Sequence, residues 1–369
     1  MSIINDNKIK INIFGGSNTI YNHSYSNLLD KIDNYKINNY GIGGTNSVYC
    51  LMQMCKLINR DENLIIVEYF CNDLNHYISG INTLDKINNT LSEILNKSNN
   101  KKLLFILIKN HHFINNKNKF DDVYNLYINF LSKHNITYID KLNNDNFDKE
   151  FMDKYYQDTT HLNNLGMELL KNKIINHIIN NSINTVCIKY INNDYNNCNL
   201  VFTNFDNSLI FKNKLIKDIN YCCFNNLELY FDKPVKIFGF EYLCDLDSGY
   251  IEIDNNYEKK QINLLKSEGF VLEKNKTMLT SYILSINNFK EKSNIYTIKC
   301  IQPNDLNNSY EKLPNTFEYN ENKNSSIKLI SILLSDNSKI INYKYTETTL
   351  NNSNKEYNFY NHERYKQIK

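Results

Sequence analysis

Apolar residues in the first half of the chain occur in short runs of strand length. Residues 8–14 are rich in isoleucine, residues 63–70 read NLIIVEYF, and residues 102–108 read KLLFILI. Continuous apolar runs bounded by polar residues are typical of strands that are buried on both faces of a sheet. Two shorter strands are predicted at 36–40 and 136–140.

Segments with helical spacing of apolar residues separate these runs. The spacing is clearest over residues 83–96, where positions 84, 87, 91, 94 and 95 are apolar. Strands that alternate with helices predict βαβ units and a parallel sheet with helices on both faces. Sites in such folds lie at the carboxyl ends of the strands. The other predicted helices cover residues 19–32, 47–58, 123–134 and 165–179.

After about residue 180 the pattern changes to short β-prone segments divided by polar or glycine-containing turns. This texture predicts an all-β, sandwich-like domain. We therefore expect an α/β domain over residues 1–183, a β domain over 184–342, and a polar tail over 343–369. The predicted β segments are 186–191, 227–231, 235–240, 250–253, 295–301 and 326–334.

Length and charge limit the classes of protein. A chain of 369 residues is long enough for two domains. The 42 basic and 40 acidic residues give a net charge of +2, which does not indicate a nucleic-acid partner. The abundant asparagines are interpreted as solvated loops, and the oligomeric state is left open.

Cysteine usage and the amino terminus predict a cytoplasmic protein. The nine cysteines are scattered without a C-x-x-C pair, which indicates neither a disulfide framework nor a zinc site. The beginning of the sequence lacks the features of a signal peptide, and no apolar stretch approaches the ~18–20 residues of a transmembrane helix. His111 and His112 are the conspicuous metal-ligand candidates, but they lack further ligands at suitable spacing, so no metal is predicted.

Two glycine-rich blocks follow predicted strands. The first, I-F-G-G-S-N-T, places Ser17 after a turn that Gly15 and Gly16 make possible. The second, N-Y-G-I-G-G-T, brings backbone amides to a strand end, where an N–H group could stabilise an oxyanion. Taken singly, each block is better explained as a structural turn.

Two polar blocks complete the set. In E-Y-F-C-N-D, Asn72 follows an apolar strand and has an amide that could donate to an oxyanion, although an Asn-Asp pair also caps helices. In D-T-T-H-L-N-N-L-G, Asp158 lies three residues before His161. A carboxylate at that spacing could orient the imidazole as a base, although helix capping is an alternative.

The ordered set of these four blocks resembles the SGNH (GDSL-like) hydrolase superfamily over residues 8–181. The resemblance implies a flavodoxin-like, three-layer α/β/α fold. It assigns Ser17 as nucleophile, with Asp158 and His161 as the rest of a catalytic triad. It assigns the oxyanion hole to the N–H groups of Ser17 and Gly44 and to the side chain of Asn72.

The sequence departs from the family pattern twice. Gly16 replaces the Asp of the usual G-D-S, which is expected to affect the turn behind Ser17. Phe70 replaces the Gly of the usual G-x-N-D, which is expected to reshape the pocket wall. Gly44 is preferred to Gly41 because the oxyanion glycine of the family lies late in its block.

The resemblance implies acyl transfer on an ester, by an O-acetyl esterase or O-acetyltransferase acting on a bacterial glycan or glycan precursor such as a capsule polysaccharide intermediate. No cofactor is expected, and acetyl-CoA would be the co-substrate of a transferase. The alternatives are a lipase or thioesterase, or a non-catalytic glycan-binding or scaffold protein with a degenerate domain of this type.

Overall fold

The structure is a computed structural model. The chain divides into two compact units, Met1–Tyr195 and Asn196–Lys369. The boundary at residue 183 stays a prediction from the sequence. The residues described are 8–57, 61–80, 82–142, 147–187, 191, 198–202, 209–211, 219–244, 249–264, 278–283, 289–301, 327–335 and 339–347.

The first unit is built on a parallel sheet of five strands in the order β2-β1-β3-β4-β5. This strand order is that of flavodoxin-like folds, in which the connections change direction between the first and third strands and leave a crevice there. The predicted α/β fold with a parallel sheet is confirmed. The strands are β1 (Ile9–Gly15), β2 (Tyr35–Asn39), β3 (Leu64–Glu68), β4 (Lys102–Ile106) and β5 (Thr137–Ile139).

Helices form a layer on each side of this sheet, because alternate strand residues face opposite ways. Ile11 and Ile13 of β1 belong to the same apolar cluster as Leu29 and Leu170 of two flanking helices. The helices are α1 (Ser17–Ile20), α2 (Tyr25–Asp30), α3 (Ser47–Lys56), α4 (Phe70–Ile78), α5 (Leu84–Lys97), α6 (His112–Asn115), α7 (Lys117–Lys133), α8 (Lys149–Tyr155) and α9 (Asn164–Ile179).

The helix predicted over residues 19–32 is two short helices. Tyr21 ends α1 with an extended backbone, and the Ser24 side chain caps α2 by accepting the N–H of Asn27 at 3.3 Å. A serine that accepts a backbone N–H starts a new helix. The break places Tyr21 between the two helices rather than within one.

The strand predicted over residues 63–70 ends at Glu68, and Phe70 is the first residue of α4. An apolar run does not show by itself where a strand changes to a helix. The prediction missed α4 for this reason, and it also missed α6 and α8, which have four and seven residues.

The second unit is all-β, as predicted, and all of its described strand pairings are antiparallel. Its strands share one hydrogen-bonded network, because the 17-residue strand β8 pairs with four others along its length. The strands are β6 (Asn199–Phe202), β7 (Leu209–Phe211), β8 (Ile219–Val235), β9 (Ile237–Cys244), β10 (Tyr250–Asp254), β11 (Lys259–Asn263), β12 (Met278–Ile283), β13 (Ser293–Ile301), β14 (Ile327–Leu334) and β15 (Ile340–Glu347).

Strand β15 includes the first residues of the segment that was predicted as a polar tail, and residues 348–369 lie outside the described part of the chain. Part of the predicted strand at 186–191 also lies outside it. No helix among the described residues is both long and apolar enough to cross a membrane.

Candidate active site

The turn after β1 carries Ser17, at the crevice between β1 and β3. Gly15 pairs with Glu68 at the carboxyl ends of these two strands, and Ser17 is the first residue of α1. A Cβ on Gly16 would lie 2.7 Å from Asn72 Nδ2, which is closer than side chains pack. Gly16, which stands where the G-D-S pattern has an Asp, therefore leaves the space that the Asn72 carboxamide occupies.

Ser17, His161 and Asp158 form a continuous chain of hydrogen bonds. The Oγ of Ser17 lies 2.7 Å from Nε2 of His161, and Nδ1 of His161 lies 2.7 Å from Oδ2 of Asp158. The carboxylate accepts the proton on Nδ1, so Nε2 is left to accept the hydroxyl proton of Ser17. The structure thus brings together, from positions 144 residues apart, the three groups proposed as a triad.

Asp158 is held by its own loop as well as by His161. Its Oδ1 accepts the backbone N–H groups of Thr160 at 2.7 Å and of His161 at 2.8 Å. Partial burial opposes ionisation, but the hydrogen bond and charge of His161 and these two N–H groups outweigh it and lower the pKa of Asp158. The side chain is therefore an anion at neutral pH, as an orienting carboxylate must be.

The loop that carries His161 is fastened to the nucleophile turn by Asn18. The Oδ1 of Asn18 accepts the N–H of Leu162 at 3.0 Å, and its Nδ2 donates to the carbonyl of Thr160 at 3.4 Å. The side chain is buried. Sequence reasoning missed this residue, although its place next to Ser17 is a signal that could have identified it.

Asn72 lies on α4 beside the nucleophile turn. Its side chain is 7% exposed, and its Nδ2 donates to the carbonyl of Thr45. An amide nitrogen has two hydrogens, so one remains for a ligand while this bond fixes the orientation of the group. The arrangement suits a donor to an oxyanion.

The glycine-rich loop runs past the nucleophile. A Cβ on Gly43 would lie 3.6 Å from Ser17 Cβ, so the loop lies next to the turn with room for a methyl group between them. The N–H of Gly41 donates to Asn39 Oδ1 at 2.8 Å, whereas Gly44 has a φ of 72° and, in the described part of the chain, no hydrogen-bond partner for its N–H. The Gly41 N–H is therefore already engaged, and the oxyanion role of Gly44 stays a prediction from the sequence.

Asp73 supports this edge of the site from inside. It accepts the N–H of Ser47 at 3.0 Å and the hydroxyl of Tyr127 at 2.5 Å. Burial raises the pKa of Asp73 to about 6, against these hydrogen bonds. Asp73 thus satisfies the first N–H of α3, the preceding helix, whereas Asn72 and Asp73 both lie within α4 and do not cap it.

Phe70 does not line the pocket, contrary to the expectation from sequence. It is fully buried and packs edge-on against Phe120 and Tyr127 of α7, with ring centroids 5.6 Å and 5.3 Å away. Phe70, which stands where the G-x-N-D pattern has a Gly, is thus accommodated within the helix layer.

His111 and His112 lie next to each other at the start of α6. Their rings lie 3.9 Å apart, and burial, with the neighbouring His111, lowers the pKa of His112 to about 4. Among the described residues, no group of three or more His, Cys, Asp or Glu side chains is placed to hold a metal ion.

Comparisons with known proteins give no match to a protein-family model and no similar sequence among curated proteins. Solved structures that are similar to the chain include a member of the lipolytic G-D-S-L family from Veillonella parvula, at 18% identity and a TM-score of 0.38 over 45% of this chain and 96% of that one. A psychrotrophic esterase from Pseudoalteromonas sp. has 17% identity and a TM-score of 0.38 over 47% and 98%. An acetyl xylan esterase from Geobacillus stearothermophilus has 14% identity and a TM-score of 0.37 over 46% and 94%.

Proposed function

We propose that the first unit performs serine-dependent acyl transfer on an ester. The observation that carries this proposal is the hydrogen-bonded chain from Ser17 Oγ to His161 Nε2 and from His161 Nδ1 to Asp158, with both distances at 2.7 Å. A serine, a histidine in the accepting tautomer and an ionised carboxylate are the parts that activate a hydroxyl at neutral pH.

The first half of the reaction forms an acyl-enzyme. Ser17 Oγ bonds to the carbonyl carbon of the ester while His161 Nε2 takes the hydroxyl proton. The tetrahedral intermediate then collapses, the bond to the alcohol oxygen breaks, and His161 returns the proton to the departing alcohol. Asp158 stabilises the imidazolium that exists between these two steps.

The second half removes the acyl group. Water, or an acceptor hydroxyl, gives its proton to His161 as its oxygen bonds to the acyl carbon, and Ser17 leaves with the proton that His161 gives back. Hydrolysis makes the protein an esterase, and transfer to a sugar hydroxyl makes it an acyltransferase. Gly44 and Asn72 would donate to the oxyanion in both halves, together with the Ser17 N–H.

We further propose that the acyl group is acetyl and that the alcohol is a carbohydrate of a bacterial glycan or its cytoplasmic precursor. The presence of a separate all-β unit in the same chain supports a polymeric or extended substrate rather than a free lipid. A transferase would use a donor such as acetyl-CoA.

The test is hydrolysis of p-nitrophenyl acetate and of longer-chain p-nitrophenyl esters by the wild type and by Ser17→Ala. We expect acetate turnover that falls by roughly 10⁴-fold or more in Ser17→Ala, because the nucleophile is lost. Ser132→Ala, which changes an exposed serine of α7 in the same unit, is the matched control.

Other outcomes would point to other functions. Equal activity of the wild type and Ser17→Ala would show that Ser17 is not the nucleophile. A preference for long acyl chains would indicate a lipase or thioesterase. A wild type that neither turns over acetylated sugars nor labels at Ser17 with a fluorophosphonate would indicate a binding protein.

A further inference from the structure

A carboxyl group lies directly behind the nucleophile turn, outside the triad and outside the oxyanion hole. Glu68 ends β3, and its side chain is 1% exposed. Its Oε2 accepts the backbone N–H of Gly16 at 3.2 Å and the hydroxyl of Thr19 at 3.1 Å. One carboxyl oxygen thus holds the residues on both sides of Ser17.

This contact belongs to a short buried chain of hydrogen bonds. Since Thr19 donates its hydroxyl proton to Glu68, the hydroxyl of Tyr25, 2.9 Å away, must donate to Thr19. The main-chain carbonyl of Glu68 also accepts the Gly16 N–H, at 3.1 Å. The amide that precedes the nucleophile is therefore fixed by two oxygens of a single residue.

The other carboxyl oxygen shows which protonation state fits the site. Oε1 of Glu68 is buried and makes no hydrogen bond within the described part of the chain. A buried carboxylate with one unsatisfied oxygen and no cation beside it is expensive, whereas a neutral carboxyl group costs far less. Burial raises the pKa of Glu68 to about 8, against the hydrogen bonds from Thr19 and Gly16.

Among the described residues, the groups from the surrounding elements whose pKa the charge of Glu68 influences supply no positive charge. They are tyrosines and a cysteine, and burial raises the pKa of each of them, so that they are neutral at pH 7. They comprise Tyr25 of α2, Tyr69 before α4, Cys71 of α4, Tyr127 of α7 and Tyr156 after α8.

We propose that Glu68, in its neutral, protonated form, is a positioning residue that holds the Gly16–Ser17 turn. We propose further that ionisation of Glu68 limits turnover on the alkaline side. This inference rests on the proposed acyl-transfer function. Protonated Glu68 keeps Oε2 as an acceptor for both N–H and O–H. Ionised Glu68 adds a negative charge behind the place where the oxyanion develops, which raises the energy of the transition state.

The experiment compares Glu68→Gln and Glu68→Ala with the wild type over pH 6 to 10. Glutamine keeps a carbonyl acceptor and cannot ionise, so we expect it to recover most of the turnover that alanine loses. We expect kcat of Glu68→Ala to fall by about tenfold at pH 7 with little change in KM, because the turn loses its support but the substrate contacts remain. The wild type should lose activity above pH ~8, and Glu68→Gln should not.

Glu93→Gln is the matched control, since Glu93 is another buried glutamate of the same unit, on α5, where it contacts Asn96 and Lys97. Its pH profile should follow that of the wild type. A Glu68→Gln enzyme that keeps the alkaline decline, or a Glu68→Ala enzyme with wild-type kcat at every pH, would overturn the inference.

A second measurement tests the protonation state without turnover. The pKa of Glu68 in the folded protein, about 8, exceeds its ordinary value of 4.5. The folded chain therefore binds this proton more tightly than the unfolded chain does. The stabilisation is complete below pH 4.5, declines as pH rises, and is lost above pH 8. The urea midpoint of the wild type should fall relative to that of Glu68→Gln across this window, and parallel curves would show that Glu68 is ionised throughout.

The rate at which a fluorophosphonate labels Ser17 distinguishes a failure of the proposed acyl-transfer function from a failure of the proposed role of Glu68. A wild type that neither labels nor turns over would refute the acyl-transfer function and with it the positioning role. Normal labelling and turnover in the wild type, with no effect of either Glu68 variant, would refute only the role of Glu68.

Discussion

The two sides of the candidate site are built in different ways. The nucleophile side stands on the ends of β1 and β3, and the side chains behind it, Glu68, Thr19 and Asn72, are buried. The base side is a loop in which Asp158 is 35% exposed and His161 is 18% exposed. The position of Ser17 therefore follows from the packing of the sheet, whereas the position of His161 depends on a few polar contacts within and around its loop.

This difference predicts how each side responds to substitution. On the base side, a change in one hydrogen bond alters the protonation or orientation of the imidazole and leaves the fold intact. On the nucleophile side, a change removes a group that is packed against the turn, so effects on catalysis and on stability are expected together.

After loss of the nucleophile itself, the largest effect should come from Asp158→Asn. The asparagine carbonyl can still accept the N–H groups of Thr160 and His161, but its amide donates toward Nδ1 and forces the proton to Nε2. His161 then cannot accept from Ser17, and kcat should fall by roughly 10⁴-fold with the melting temperature almost unchanged. Steady-state kinetics and thermal unfolding check this.

Asp153→Asn, an exposed aspartate on α8, serves as its control and should behave like the wild type. An Asp158→Asn enzyme within tenfold of wild-type kcat would show that the carboxylate does not orient the base.

A smaller effect is expected for Asn72→Ala on the nucleophile side. The loss of one oxyanion donor should reduce kcat by about 10²–10³-fold with little change in KM. The buried Thr45 carbonyl would also lose its partner, so the protein should be destabilised by about 1–3 kcal/mol. Kinetics and urea unfolding measure the two effects.

Asn88→Ala removes an exposed asparagine from α5 and controls for the change in side-chain type. If Asn72→Ala raised KM and left kcat alone, the side chain would be a ground-state contact rather than an oxyanion donor.

The smallest effect on turnover is expected for Asn18→Ala, which removes the link between the two sides. We expect a decrease in kcat of roughly tenfold, because the loop of His161 gains freedom but keeps its internal contacts. The buried N–H of Leu162 loses its acceptor, at a cost of about 1–3 kcal/mol. The informative quantity is the ratio of the decrease in kcat to the decrease in the free energy of unfolding.

Asn27→Ala is its comparison, because Asn27 holds a neighbouring segment on the nucleophile side, through the carbonyl of Tyr21 at 2.8 Å. Equal kcat values for Asn18→Ala and Asn27→Ala would show that the loop is positioned without Asn18.

Much of this architecture could be predicted from sequence patterns within short stretches of the chain. The three central strands are apolar runs, and the blocks around Ser17, Asn72 and His161 follow strands or precede helices, so their meeting at one edge of the sheet could be predicted. The all-β character of the second unit was equally visible in its short segments. In both cases the signal lies within about ten consecutive residues.

The supporting residues were not predictable in the same way. The contact from Glu68 to Gly16 crosses 52 positions and that from Asn18 to Leu162 crosses 144, and neither side chain has a sequence pattern of its own. The boundary at Phe70 was missed because a buried helix start and a buried strand end have the same apolar composition. Such features depend on the tertiary neighbours of a residue.

The close packing of Gly16 against Asn72 has a consequence for how this sequence can vary. A Cβ at position 16 would lie 2.7 Å from Asn72 Nδ2, so a side chain there would require the Asn72 carboxamide to shift. The G-D-S and G-x-N-D patterns carry an Asp and an Asn at these two positions together, so the pairing is possible with a different arrangement of the carboxamide. Substitutions at positions 16 and 72 are therefore expected to be non-additive in their effects on turnover.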